Sequence, residues 1–143
     1  PGVLLTQHSE ETETPSMFRT IVKATVAFSV IGTAGLAYAE GDAANGEKLF
    51  RRCQACHVID KEQNRVGPHL VGIIGREVAS VDSYSYSDAM TEWAADKDAW
   101  TTDLMFSYLE QPMQTVKGTK MAFPGLKDPQ DRRDLIAYLE QAD

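Results

Sequence analysis

The two cysteines of this chain stand close together, as Cys53 and Cys56, and His57 directly follows the second. With no third cysteine, the chain cannot build a disulfide framework. A length of 143 residues fits one domain, and a hydrophobic share of 43% is ordinary for a globular protein. The run from Cys53 to His57 is therefore the strongest constraint on what the chain folds around.

The order Cys-x-x-Cys-His is typical of covalent attachment of a c-type haem. The spacing of Cys53 and Cys56 lets both thiols add to the vinyl groups on one edge of the porphyrin, and His57 then offers an imidazole nitrogen to the iron. A redox dithiol would need a strand–helix context, and a zinc site would need two more ligands at short spacing. The sequence offers neither, so we expect one covalently attached haem c.

Residues 17–39 have the parts of a secretory signal peptide. Arg19 and Lys23 supply positive charge, an apolar stretch follows over about residues 24–36, and Ala37-Tyr38-Ala39 forms a small-x-small cleavage pattern. The apolar stretch is shorter than the ~20 residues that span a bilayer. This favours a cleaved peptide over a retained membrane anchor.

Cleavage after Ala39 would leave residues 40–143 as the mature domain, and we expect this domain in the periplasm. Export suits the motif, since the periplasm is an oxidising compartment and haem c is attached outside the cytoplasm. Residues 1–16 precede Met17 and are predicted to lie upstream of the true start.

Helical signals dominate the mature domain, and no stretch alternates convincingly as a strand. The segment 53–84 is predicted to be mostly loop, and Pro112 is expected to end the third helix. Helices this short are marginal alone, so a large apolar cofactor would supply the centre of the core. We predict an all-α fold of four to five short helices around the haem: about 43–52 after Asp42, 88–95 after Ser85 or Ser87, 103–110 after Thr101 or Thr102, and 130–141 after Asp128-Pro129.

Met121 is the best candidate for the iron's second protein ligand, because it lies in a loop, residues 118–125, between two predicted helices. Such a loop is free to cover the opposite face of a haem. The remaining methionines of the mature domain lie in or beside helices, where core packing is the more common role: Met90, Met105 and Met113.

His69 is a weaker ligand candidate. It follows His57 by only twelve residues, a loop too short to reach the opposite face, so we expect His69 at the surface. Ligation by His57 and Met121 would give a six-coordinate iron with a raised potential that moves single electrons. An enzyme, such as a peroxidase or a gas sensor, would instead need an open sixth position.

Several short blocks stand in order between residues 41 and 142: Gly46 and Phe50, Cys53 to His57, Gly67-Pro68, Gly75-Arg76, Tyr84 to Ala89, Trp100, Tyr108 to Pro112, Gly118 to Gly125, and Asp134 to Leu139. In these blocks the chain resembles class I cytochrome c, most closely the small periplasmic cytochromes of bacteria that are similar to mitochondrial cytochrome c. The resemblance implies the cytochrome c fold, with crossed N- and C-terminal helices, and electron transfer rather than enzymatic catalysis.

The resemblance also implies roles for residues around the haem. The Pro68 carbonyl should accept the ring N–H of His57 and fix its orientation, and Tyr108 should lie near the Met121 sulfur. Met90 stands where relatives often carry a polar Asn. Four residues are implied to hydrogen-bond or approach a buried haem propionate: Arg76, Tyr86, Trp100 and Thr119.

The net charge of the mature domain limits the classes of macromolecule that it can bind. Residues 1–39 hold two basic and three acidic side chains, so residues 40–143 carry twelve basic and eighteen acidic ones, a net charge of −6 before the haem. This charge argues against a nucleic-acid partner. Basic residues nevertheless stand near the two ligand loops, among them Arg52, Lys120 and Lys127. We expect a positive end at the haem edge that docks membrane redox complexes and periplasmic redox proteins; an evenly acidic surface is the alternative.

These features together predict a soluble, monomeric periplasmic carrier without a stable membrane anchor. It would take electrons from a membrane quinol-oxidising complex and deliver them to a terminal oxidase, a photosynthetic reaction centre or a periplasmic reductase. The alternative within electron transfer is the detached electron-entry module of a larger enzyme.

Overall fold

The computed structural model describes residues 40–142. The expected signal peptide at 17–39 and the upstream segment at 1–16 lie outside the described residues. Within the described part there are five helices and no strand, so the predicted all-α fold is confirmed. None of its helices is long and apolar enough to span a bilayer. The helices are α1 (Ala43–Phe50), α2 (Asp88–Ala94), α3 (Thr102–Glu110), α4 (Pro112–Thr115) and α5 (Pro129–Leu139).

Side-chain caps set where four of the helices begin. In each case a side-chain oxygen of the capping residue accepts a hydrogen bond from a backbone N–H in the first turn, which satisfies a group with no partner inside the helix. The sequence predicted these caps, with Ser87 and Thr101 being the alternatives that the structure selects. The caps are Asp42, Ser87, Thr101 and Asp128.

The expected stop of the third helix before Pro112 is confirmed, and Pro112 also begins a further short helix. Gln111 leaves helical geometry with φ −152° and ψ 67°, which terminates α3. Pro112 then occupies the first position of α4, where its fixed φ suits a helix and its missing N–H costs nothing.

Helices α1 and α5 cross at Gly46. A Cβ atom at this position would lie 2.0 Å from the Asp134 carbonyl oxygen and 2.7 Å from the Tyr138 Cβ. Only glycine therefore allows the two backbones this close approach. One turn further along, the rings of Phe50 and Tyr138 pack with centroids 5.5 Å apart. The predicted crossing of the first and last helices is confirmed.

Core side chains from three helices face one cavity. Phe50 of α1 and Leu135 of α5 are almost completely buried, and α3 turns Met105 and Tyr108 inwards from the other side. All four side chains line the same cavity.

Candidate functional site

A cavity of about 320 Å³ lies between α1, α3, α5 and two long loops, and its lining is largely apolar. It gathers side chains that are up to 89 residues apart in the sequence, from Phe50 to Leu139, and Cys53 and Met121 among them are 68 residues apart. Every site residue predicted from the sequence lines this cavity: Cys53, Cys56, His57, Pro68, Arg76, Tyr86, Trp100, Tyr108, Thr119 and Met121.

The attachment motif forms one wall. After α1 the chain continues in turns, and the N–H groups of Cys56 and His57 both donate to the Cys53 carbonyl, at 3.0 and 2.9 Å. This turn brings two free thiols and an imidazole to the same side of the cavity. Burial raises the pKa of the Cys53 thiol to about 11, although the Arg52 charge opposes the rise. The folded thiol is therefore protonated at neutral pH.

His57 is held in one orientation by its neighbours. Its Nδ1 lies 2.8 Å from the Pro68 carbonyl oxygen, so Nδ1–H donates and Nε2 keeps its lone pair. Burial lowers the pKa of His57, and the Pro68 hydrogen bond only partly opposes this effect. The lowered pKa favours the neutral imidazole, which is the form that can bind iron. Gly67 packs on the ring so closely that a Cβ there would lie 2.4 Å from the His57 Cε1.

Met121 lies on the loop between α4 and α5 and lines the same cavity. Its backbone N–H donates to the Thr119 hydroxyl at 3.2 Å. Between them, the Lys120 ammonium donates to the backbone carbonyls of Ser85 and Tyr86, at 3.0 and 3.2 Å. The two Lys120 bonds hold the loop that carries Met121, residues 118–125 (the methionine loop), against the segment that precedes α2.

An aromatic cluster closes another side. The rings of Trp100 and Tyr108 meet edge-on, with centroids 4.9 Å apart, and burial raises the pKa of Tyr108 to about 12. Trp93 of α2 packs behind both rings at 5.6 Å. The sequence reasoning missed Trp93, although its i+3 spacing from buried Met90 was a signal for an inward-facing side chain.

Two polar side chains reach the cavity from loops. The Arg76 guanidinium donates to the carbonyls of Val71 and His69, at 2.8 and 2.9 Å. The Tyr86 hydroxyl accepts the Val81 N–H at 3.3 Å, which leaves its own proton available to donate. Burial raises the pKa of Tyr86, so this hydroxyl is neutral.

The surface location expected for His69 is wrong. Its side chain is buried, with 9% of the residue exposed, and its Nδ1 lies 3.3 Å from the Arg76 guanidinium. The physical reason is that the loop folds on itself here: Asn64 accepts from the His69 N–H, and the Arg76 guanidinium donates to the His69 and Val71 carbonyls. His69 is not among the residues that line the cavity.

The other methionines divide between core and surface. Met90 and Met105 are buried helix residues that also line the cavity, whereas Met113 is 45% exposed. Tyr84 and Phe123 line the cavity too and were missed as site residues. Each stands within two residues of a predicted one, which was the available signal.

The three basic residues expected at the haem edge do not share one position. Arg52 and Lys120 line the cavity, but Lys127 does not. The Lys127 ammonium instead donates to the Glu110 carbonyl at the end of α3, at 3.0 Å.

The residues present fit a covalently attached haem. Two thiols and a neutral imidazole share one wall, a thioether is carried by a separate loop, and Arg76 and Tyr86 offer donors to a propionate. The largely apolar lining suits the porphyrin ring.

Comparison with known proteins agrees with this geometry. The cytochrome c family model matches residues 43–143. The chain is 46% identical over 108 residues to cytochrome c of Cochliobolus lunatus, covering 74% of this chain and 97% of the relative. It is 45% identical over 101 residues to cytochrome c2 of Rhodopila globiformis, covering 70% of this chain and 92% of that relative.

A solved structure, cytochrome cH from Methylobacterium extorquens, superposes with a TM-score of 0.64 at 42% identity, covering 71% of this chain and 99% of that one. The chain therefore belongs to the cytochrome c family, whose members are electron-transfer proteins rather than enzymes and carry one covalently bound haem c.

Proposed function

We propose that residues 40–143 form a soluble periplasmic one-electron carrier. It would run between a membrane quinol-oxidising complex and a terminal oxidase, a photosynthetic reaction centre or a periplasmic reductase. The observation that carries the proposal is the shared cavity of His57 and Met121, which are supplied by separate loops. The similarity to the bacterial cytochromes c2 and cH supports it.

In this proposal four residues hold the cofactor. Cys53 and Cys56 would form thioether bonds to the porphyrin, and His57 and Met121 would bind the iron. A bound haem supplies the chemistry, a single electron gained or lost as the iron changes between ferric and ferrous states. The Pro68 carbonyl fixes the His57 ring, and the soft Met121 sulfur favours the ferrous state.

Polar residues of the cavity would offset the cost of burying a propionate. Arg76 and Tyr86 are already held by backbone groups, so they would need little reorganisation to donate to it. Trp100 and Thr119 line the same cavity and would add an indole N–H and a hydroxyl. Tyr108 would lie against the methionine side of the site.

Docking would use the cavity mouth. Arg52 and Lys120 line the cavity, and both are exposed, so an acidic partner surface could approach them together with the cofactor's edge. Lys127, on the loop before α5, does not line the cavity and would add only longer-range positive charge. Such complementarity mainly accelerates encounter.

Localisation rests on the sequence of residues 17–39, proposed to be a signal peptide cleaved after Ala39. Mass spectrometry of the exported protein tests this directly. An N-terminus at Glu40 is expected, and one upstream of it would contradict the proposal.

The function is tested by a reduced-minus-oxidised spectrum and a redox titration of the purified protein. We expect a c-type spectrum, one reversible one-electron step, and a thioether-to-iron band in the ferric state. Met121→Leu should remove that band, whereas the control Met105→Leu, at a buried methionine of the same cavity, should keep it. Rapid binding of carbon monoxide to the ferrous wild-type protein would contradict the closed iron.

A further inference from the structure

His69 is a buried titratable group with no place in the function described so far. Its backbone N–H donates to the Asn64 side chain at 3.0 Å, and its carbonyl accepts from Arg76 at 2.9 Å. Its ring nitrogen Nδ1 lies 3.3 Å from the same guanidinium. The residue therefore meets Arg76 with two separate acceptor atoms.

The contact between the two side chains is possible only while Nδ1 carries no proton. A guanidinium has donors and no acceptor, so Nδ1 must accept. A protonated His69 would lose the acceptor and would place two positive charges beside each other. Proton binding at His69 thus breaks one of the bonds that orient Arg76.

Arg76 connects this event to the cavity, because Arg76 lines it and His69 does not. We propose that His69 is a positioning residue for Arg76, and that proton binding at His69 makes the reduction potential of the bound haem depend on pH. The proposal rests on the proposed electron-carrier function and names one residue that would regulate it.

The charged and titratable groups around the pair set the pH range. Burial and then the Arg76 charge lower the pKa of His69, while Glu62 on the preceding loop raises it, with a net lowering. Tyr86, from the segment before α2, faces Arg76 and stays neutral in this range. Proton binding at His69 is therefore expected below about pH 6.5, the ordinary value for histidine.

The sign of the effect follows from charge. Oxidation of the haem adds a positive charge, which disfavours a second positive charge on His69, so the reduced protein binds this proton more tightly. Protons therefore favour reduction. The midpoint potential should be flat at neutral pH and should rise as the pH falls through the range where His69 titrates.

Two measurements on the haem-loaded protein test the proposal. The first is NMR titration of the His69 ring in both redox states, which is simple to assign because His57 is the one other histidine of residues 40–143. We expect a proton dissociation constant at least about twofold larger in the ferric protein. Equal constants in the two states would overturn the proposal.

The second is the midpoint potential against pH for wild type and His69→Gln. The glutamine oxygen can accept from Arg76 but cannot titrate, so the variant should keep the wild-type potential at pH 7.5 and lose the rise below pH 6.5. A rise that persists in the variant would assign it to another group, such as a propionate, and overturn the role of His69. Absence of any reversible haem couple would instead refute the electron-carrier function itself.

Discussion

The guanidinium carbon of Arg52 lies 5.3 Å from the centre of the Phe123 ring. Arg52 immediately precedes Cys53, and Phe123 follows Met121 by two residues. Both partners line the cavity. This cation–π contact therefore joins the wall that holds the thiols to the loop that holds the thioether.

Removing the Arg52 side of this contact should loosen the methionine loop. A contact of this kind at an exposed site contributes about 0.5–1 kcal/mol, so Arg52→Gln should make displacement of Met121 roughly twofold to fivefold more favourable. The measurement is a spectrophotometric titration of the ferric protein with imidazole. Arg51→Gln removes the same charge from an exposed neighbour and should leave the affinity unchanged. Equal effects of the two variants would show that charge alone matters.

Gly46→Ala should destabilise the fold even though alanine is the better helix former. The added Cβ would lie 2.0 Å from the Asp134 carbonyl oxygen, so α1 and α5 must separate. Overpacking of this kind costs about 1–3 kcal/mol, more than the ~1 kcal/mol that helix propensity returns. Denaturant unfolding should show a lower midpoint, while Glu47→Ala, on the exposed side of α1, should change it little. A midpoint that rises for Gly46→Ala would contradict the close crossing.

Asp134 should make stability fall in acid. Its buried carboxylate accepts from the Asp42 N–H at 2.8 Å, from Asn45 at 2.7 Å and from Gln130 at 2.8 Å. Burial alone would raise the pKa of Asp134, but these donors outweigh it and the net shift is downward. Because the folded pKa lies below the unfolded one, the stabilisation is present above about pH 4 and is lost as the pH falls further.

Asp134→Asn tests this account, since an amide cannot accept three donors with both of its polar atoms. We expect a loss of about 1–3 kcal/mol at pH 7 and a shallower dependence of the unfolding free energy on pH below 4. Glu140→Gln, at an exposed position just after α5, serves as the control. Parallel pH profiles for wild type and Asp134→Asn would show that another carboxylate is responsible.

Lys120 should steer negatively charged redox partners to the cavity. Lys120→Glu reverses the charge at the exposed edge of the cavity. Oxidation of the reduced protein by the ferricyanide anion should therefore slow roughly threefold or more at low ionic strength. The difference should shrink as salt screens the charges. Stopped-flow traces across a salt series give the rates. The control is Lys61→Glu, an exposed residue that does not line the cavity, and equal slowing in both variants would indicate net charge rather than local steering.

Local signals allowed much of the fold to be predicted. Asp42 and Asp128 predict the starts of α1 and α5, because a cap depends only on hydrogen bonds between one side chain and the backbone N–H groups of the next turn. Pro112 follows the end of α3 as predicted, but the short helix α4 that it begins was not predicted, because the same missing N–H that ends one helix is tolerated in the first turn of another. The ends of the helices differ from the prediction by one or two residues, as is usual where helix ends fray.

The site was predictable to the extent that a short motif or a resemblance defined it. The burial of His69 was not, because it depends on the conformation of an irregular loop, in which Asn64 and Arg76 both bond to His69, and no periodicity of the sequence reports such a conformation. The place of Trp93 in the aromatic cluster was also not predicted. Its partners Trp100 and Tyr108 belong to other segments, and only folding brings the three rings together.

The packing of α1 on α5 has a consequence for how the protein is made. A chain synthesised from its N-terminus delivers α1 and the attachment motif well before α5. Until α5 arrives, Gly46 has nothing to pack against and the core cannot close. Cys53 is then solvated, whereas burial in the closed fold raises the pKa of an unattached Cys53 thiol to about 11 and makes it a poor nucleophile. We therefore expect the haem to be joined to Cys53 and Cys56 before the last helix closes on the first.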